Sequence, residues 1–112
     1  MPTTQKRTYS RYTGQAAMLL GKRIRLGRKQ RMLTMQDLAD RVGVSRGTIQ
    51  RLEKGDLKVE IGIVFEAATI VGVNLFEADE KAITMQISRA DDKIALLPKH
   101  VYKAGKGVDD DF

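Results

Sequence analysis

Five residues pose the chemical question. Arg46, Gly47, Gln50, Arg51 and Lys54 fall at i, i+1, i+4, i+5 and i+8. On a helix that spacing gives one continuous stripe. The stripe is polar, long-armed and cationic, and its one glycine leaves room for close approach. Arg and Gln are the side chains that can make two coplanar hydrogen bonds to a base edge in the major groove. Other chemistry finds little support. The chain has a single histidine, His100, and no cysteine, so a metal site lacks its ligands and disulfides are excluded. No nucleophile–base pair is discernible. Gly21, Gly27, Gly43 and Gly47 do not make a phosphate loop followed by Lys-Ser/Thr. We expect no catalysis, no metal and no cofactor.

A stripe needs elements to hold it. Thr34 is a good N-cap residue, and Asp37 three positions later completes a capping pair. Leu38, Ala39 and Val42 then share a helical face. Gly43 follows, where a left-handed C-cap suits glycine. Val44 fills the turn. Ser45 caps a second helix whose apolar residues Ile49 and Leu52 sit three apart, and Gly55 ends it. Two short helices across a glycine turn, the second with a basic outer stripe, form a helix-turn-helix arrangement. The same pattern also fits an ordinary amphipathic helical hairpin with a solvated basic face.

The stretch resembles the Cro/Xre, phage-repressor-like helix-turn-helix family at Thr34, Leu38-Ala39, Val42-Gly43-Val44-Ser45, Ile49 and Leu52-Glu53-Lys54-Gly55. The resemblance implies an all-α, five-helix, lambda-repressor-like domain whose second motif helix enters the major groove of double-stranded DNA. Carried over position by position, it makes Arg46, Gly47, Gln50 and Arg51 base-edge readers. Ser45, Thr48 and Lys54 become phosphate contacts, with Gln36 as a further one. Many members have Gln directly after the capping Thr, contacting a phosphate. Here Met35 stands there, so that contact is lost or passes to Gln36.

Composition is compatible with this. The 112 residues suffice for one small domain with extensions, and 42% are hydrophobic. No run approaches the roughly 20 apolar residues of a membrane span. The first seven residues lack a signal-peptide core, so a cytoplasmic location and no membrane partner are expected. The net charge is +6, divided as +3 over residues 1–13, +5 over 14–76 and −2 over 77–112. A basic body with an acidic end suggests a polyanion for the body and a different partner for the tail. A charge of this size also simply aids solubility.

In chain order, residues 1–13 read as a mobile basic arm, reaching DNA or touching nothing. Residues 14–31 read as a long helix with Ala17, Leu20, Ile24 and Gly27 inward. Gly27 is small enough for a second helix to pack close. Lys22, Arg23, Arg25, Arg28, Lys29 and Arg31 surround the rest, six cations in ten residues, and some of them should flank the DNA backbone. A fourth helix is expected from about Glu60 to Val71 and a short fifth over Leu75–Ala78, completing a domain over 14–78. The apolar excess at Phe65, Ile70, Leu75 and Phe76 suggests a homodimer interface, or a slightly larger core. Residues 79–97 admit two readings. Ile83, Met85 and Ile87 alternate as in a short strand. Ile83, Ile87, Ala90, Ile94 and Leu97 are spaced 4-3-4-3, as in a helical seam. The helix is favoured because its pattern runs longer and Pro98 stops it. Either form supports dimerisation. Residues 98–112 read as a flexible acidic tail.

Gly47–Asp56, Val59–Ala68, Leu96-Leu-Pro-Lys and the Asp-Asp-Asp-Phe ending resemble a HipB-like antitoxin subgroup of the same family. That resemblance implies a homodimer on an inverted-repeat operator, repressing its own operon, with a HipA-like kinase toxin as protein partner. The alternatives are a stand-alone repressor, or an antitoxin acting mainly by protein–protein binding.

Overall fold

The computed structural model describes residues 7–101. The expected basic arm lies partly, and the acidic Asp109–Phe112 end wholly, outside those residues. Among the described residues five α-helices follow in order: α1 (Arg11–Gln30), α2 (Met35–Val42), α3 (Arg46–Glu53), α4 (Ile61–Ile70) and α5 (Glu80–Ala95). A single 3-10 turn, Leu75–Glu77, stands where a short helix over Leu75–Ala78 was expected. There is no strand among the described residues. The chain divides into two compact units, up to Leu75 and from Phe76 onward.

Local signals account for most helix ends. Ser10 accepts a hydrogen bond from the Thr13 amide, so α1 begins at Arg11 rather than at residue 14. Residues 11–13 therefore belong to the helix and not to the arm. Thr34 accepts from the Asp37 amide at 3.0 Å while Asp37 accepts from the Thr34 amide at 2.9 Å, a complete reciprocal cap. Donation to the carboxylate from the Thr34 amide, and from the Thr34 hydroxyl, favours its ionised form and lowers the Asp37 pKa, with Arg41 adding to the effect. Gly43 ends α2 in the left-handed region at φ 90°, and its amide reaches Ala39 O at 2.8 Å. Ser45 caps α3 through the Thr48 amide at 3.1 Å.

In the first unit α1, α2, α3 and α4 close around one core. Ile24, Leu38, Ala39, Ile49, Leu52, Ala67, Ala68 and Val71 are buried in it. Val44 packs half-buried against this cluster, as the turn reading required. Burying Ile24, Leu38 and Ile49 completely stabilises by about 1.5–3 kcal/mol each, as an upper figure. Gly27 admits α4's end as expected, since a Cβ there would stand 2.7 Å from Val71 O. The apolar face of α4 is only partly covered. Ala67 and Ala68 are buried, Ile63, Val64, Phe65 and Ile70 are half-buried, and Ile61 is exposed.

Two cations of α1 and its end have partners within the fold. Arg28, expected among the surface cations, is 6% exposed and forms a bidentate pair with the equally buried Glu53. Arg31 donates to Ile70 O at 2.9 Å, satisfying a carbonyl at the end of α4. In the second unit Asp79 caps α5 through the Ala82 amide at 2.8 Å. Residues 83–88 are helical there, because that cap and the 4-3-4-3 pattern outlast the brief alternation. No residue of α5 is buried.

Candidate nucleic-acid interface

α3 is held by its two ends and its inner face. Ile49 and Leu52 enter the core, Ser45 fixes the N-terminus, and Glu53 is locked to Arg28 on α1. Arg28 Nε lies 2.7 Å from Glu53 Oε2 and Nη2 lies 3.0 Å from Oε1. The remaining Arg28 Nη1 donates to Leu33 O at 2.9 Å, which ties in the turn before α2 as well. One buried guanidinium thus joins α1, the α1–α2 turn and α3. The sequence offered Glu53 only as part of a motif and Arg28 only as one cation of six. Nothing local marks a pair 25 residues apart.

The outer face of α3 brings the stripe together. Arg46, Gly47, Arg51 and Lys54 are exposed, and Gln50 and Thr48 are half-buried. A Cβ added at Gly47 would meet only Ser45 Oγ, at 3.8 Å, so the fold itself makes no demand for glycine there. Arg51 leans on Asp56 at 3.8 Å, with half its side chain still exposed. Such a pair is worth less than about 1 kcal/mol and does not hold the guanidinium back. Lys54 lies just beyond α3 as its C-cap.

The residues assigned to phosphates are partly engaged. Ser45 Oγ accepts from the Thr48 amide and sits 3.0 Å from Thr48 Oγ1. Gln36 Nε2 donates to Asp40 Oδ1 at 2.8 Å along α2, which leaves its amide oxygen for another partner. Met35 is half-buried against the core, so the side chain at this position serves packing. Arg25, Lys29, Gln36 and Arg46 line one open groove beside α3, with Met32, Leu33 and Met35. The two α1 cations were not distinguished from their neighbours by sequence. Among the described residues no group of His, Cys, Asp and Glu is placed to hold a metal ion. No helix among them is long and apolar enough to cross a membrane.

Residues 24–77 match a family model described as helix-turn-helix, of the Cro/C1 type. The matched segment runs from the middle of α1 to the 3-10 turn and contains α2 and α3 whole. It supports a DNA-binding transcriptional regulator. No curated protein and no solved structure matches the chain.

Proposed function

Because residues 24–77 match the helix-turn-helix model, we propose that the protein is a dimeric, sequence-specific repressor that reads an inverted-repeat operator in double-stranded DNA. The observation that carries this reading is the outer face of α3, cationic and exposed on a helix whose other side is locked into the core. Arg46, Gly47, Gln50 and Arg51 then meet base edges, and Gln36, Ser45, Thr48 and Lys54 meet phosphates. The exposed apolar residues of α5, Ile87 58% and Ile94 65% exposed, with Leu97 65% exposed just beyond its end, support the dimer, as does the partly covered α4. A two-fold dimer would set two α3 helices about 34 Å apart, one turn of DNA.

Within that reading, the resemblance at residues 47–68 and at the Asp-Asp-Asp-Phe end supports an antitoxin role. The protein would repress its own operon and bind a HipA-like kinase. Truncation after Leu97 should abolish co-purification with that kinase. Retention of the kinase by the truncated protein would move the contact to the helical body.

The test of the DNA reading uses a duplex selected by the protein from a random-sequence pool. Gln50→Ala should weaken binding to that duplex by about 1–3 kcal/mol and relax the preference at one base pair. Its binding to a scrambled duplex should hardly change. Equal losses on both would assign Gln50 to the backbone. Sedimentation of the complex should give two protomers per duplex, and a single specifically bound protomer would remove the dimer.

A further inference from the structure

We propose that the outer face of α1 is a docking surface for α5 of a second copy of this chain, in a reciprocal exchange. This rests on the dimeric reading above and names the surface that α5 meets.

Tyr12, Ala16, Leu19, Arg23 and Leu26 are spaced 4-3-4-3 along α1. At about 100° per residue they form one seam. Gly21, where the end of α3 meets α1, lies on the opposite side of the helix. The seam stands in water: Tyr12 is 79%, Leu19 52% and Leu26 57% exposed. Two successive diamonds of side chains at i, i+3, i+4 and i+7 open on it. The first is Tyr12, Gln15, Ala16 and Leu19, and the second is Ala16, Leu19, Leu20 and Arg23. Together they line a cleft of about 280 Å³. Diamonds of four residues are the holes into which a second helix inserts its knobs.

α5 has knobs at the matching spacing. Ile83, Ile87, Ala90 and Ile94, with Leu97 just past the helix end, also run 4-3-4-3. No residue of α5 is buried. A helix of 16 residues with no buried face is marginal in water, so α5 depends on what covers it.

Charge selects the occupant. A second α1 is repelled, because α1 carries no carboxylate and Arg23 stands within the seam. Among the described residues Arg23 makes no hydrogen bond or ion pair. The start of α5 is acidic, with Glu77, Asp79 and Glu80 against Lys81. Laid antiparallel, the seams match in four layers: Tyr12 with Ile94, Ala16 with Ala90, Leu19 with Ile87 and Arg23 with Ile83. The paired alanines let the helices come close. Arg23 then lies within one turn of Glu80. Pairing α5 with the second copy's α5 would leave the seam of α1 in water. The exchange covers both seams in both copies, and its two-fold symmetry closes the assembly. It also leaves the stripe of α3 free, since α3 meets the far side of α1.

The chain has no cysteine, so introduced thiols report the contact cleanly. Leu19→Cys and Ile87→Cys proteins are mixed in equal amounts, left to exchange subunits and oxidised with glutathione disulfide. The mixture should give a covalent dimer on a non-reducing gel, and neither variant alone should. Arg23→Glu should raise the dissociation constant of the dimer at least roughly tenfold, since each dimer holds this contact twice. Arg23→Glu/Glu80→Arg should restore it.

No covalent dimer from the mixture, while wild type sediments as a dimer, overturns the contact and leaves the dimeric reading standing. Linkage of Ile87→Cys alone seats α5 on the second copy's α5 and overturns it. A loop closed within one chain of Leu19→Cys/Ile87→Cys, in place of linked pairs, seats α5 on its own α1 and overturns it too. An unchanged dissociation constant in Arg23→Glu overturns the antiparallel register on which the contact depends. A wild type that is monomeric both free and on the selected duplex removes the dimeric reading, and the exchange with it.

Discussion

Replacing Glu53 by Ala is expected to destabilise the protein by about 3–5 kcal/mol, the range for breaking a buried ion pair from one side. Glu53 and Arg28 are each 6% exposed, and their two hydrogen bonds measure 2.7 and 3.0 Å. Without the carboxylate, the guanidinium stays buried with Leu33 O as its remaining acceptor. That amount is a large part of the stability of a small domain. Arg28→Met/Glu53→Leu should recover most of the loss, since replacing both charges with apolar groups removes the desolvation penalty. Urea unfolding of the single and double variants measures this. A cost below about 1 kcal/mol for Glu53→Ala would mean that the pair is no more than a surface contact. Arg51→Ala supplies the comparison, because its 3.8 Å pair with Asp56 is half-exposed and should move stability by less than about 1 kcal/mol. The double apolar variant also separates stability from function. If it folds but binds the selected duplex weakly, the pair orients α3.

Gly21→Ala and Gly14→Ala are expected to shift stability in opposite directions, although both glycines lie in α1. A Cβ at Gly21 would stand 2.6 Å from Leu52 O and 2.7 Å from Glu53 O. Both are backbone atoms at the end of α3, and neither can swing aside as a side chain can. Ala is favoured over Gly inside a helix by about 1 kcal/mol. The clash outweighs that gain, and forced overpacking of this kind costs about 1–3 kcal/mol or more. Gly14 has no atom within 4 Å of the corresponding Cβ, so only the propensity gain remains and the protein should be stabilised by about 0.5–1 kcal/mol. Midpoints of urea unfolding decide it. If Gly21→Ala is as stable as Gly14→Ala, α1 and α3 can separate freely, and the close crossing does not hold α3 in place.

The sequence by itself determined the local structure of the motif. Thr34 with Asp37, Ser45 with Thr48 and Gly43 after Val42 fixed the ends of α2 and α3, because each device works within four residues. Periodicity placed Leu38, Ala39, Ile49 and Leu52 inward and left the stripe from Arg46 to Lys54 facing out. It also marked Gly27 as a close approach. Residues 83–88 alone fit both periods, and it was the longer 4-3-4-3 pattern that favoured the helix found there. Only the tertiary structure decided what the α1 cations do. Arg25, Arg28, Lys29 and Arg31 look equivalent in a run of basic residues. Yet Arg28 is buried on Glu53, Arg31 satisfies Ile70 O, and Arg25 and Lys29 stand over the groove. Gly21 carried no more signal than Gly14, though the end of α3 meets one and no atom of the described residues comes within 4 Å of a Cβ at the other. Those fates depend on partners 25 to 39 residues away. Caps and periodicity act over a turn or two of helix, and no such signal reaches across the fold to say which face of α1 another helix will meet.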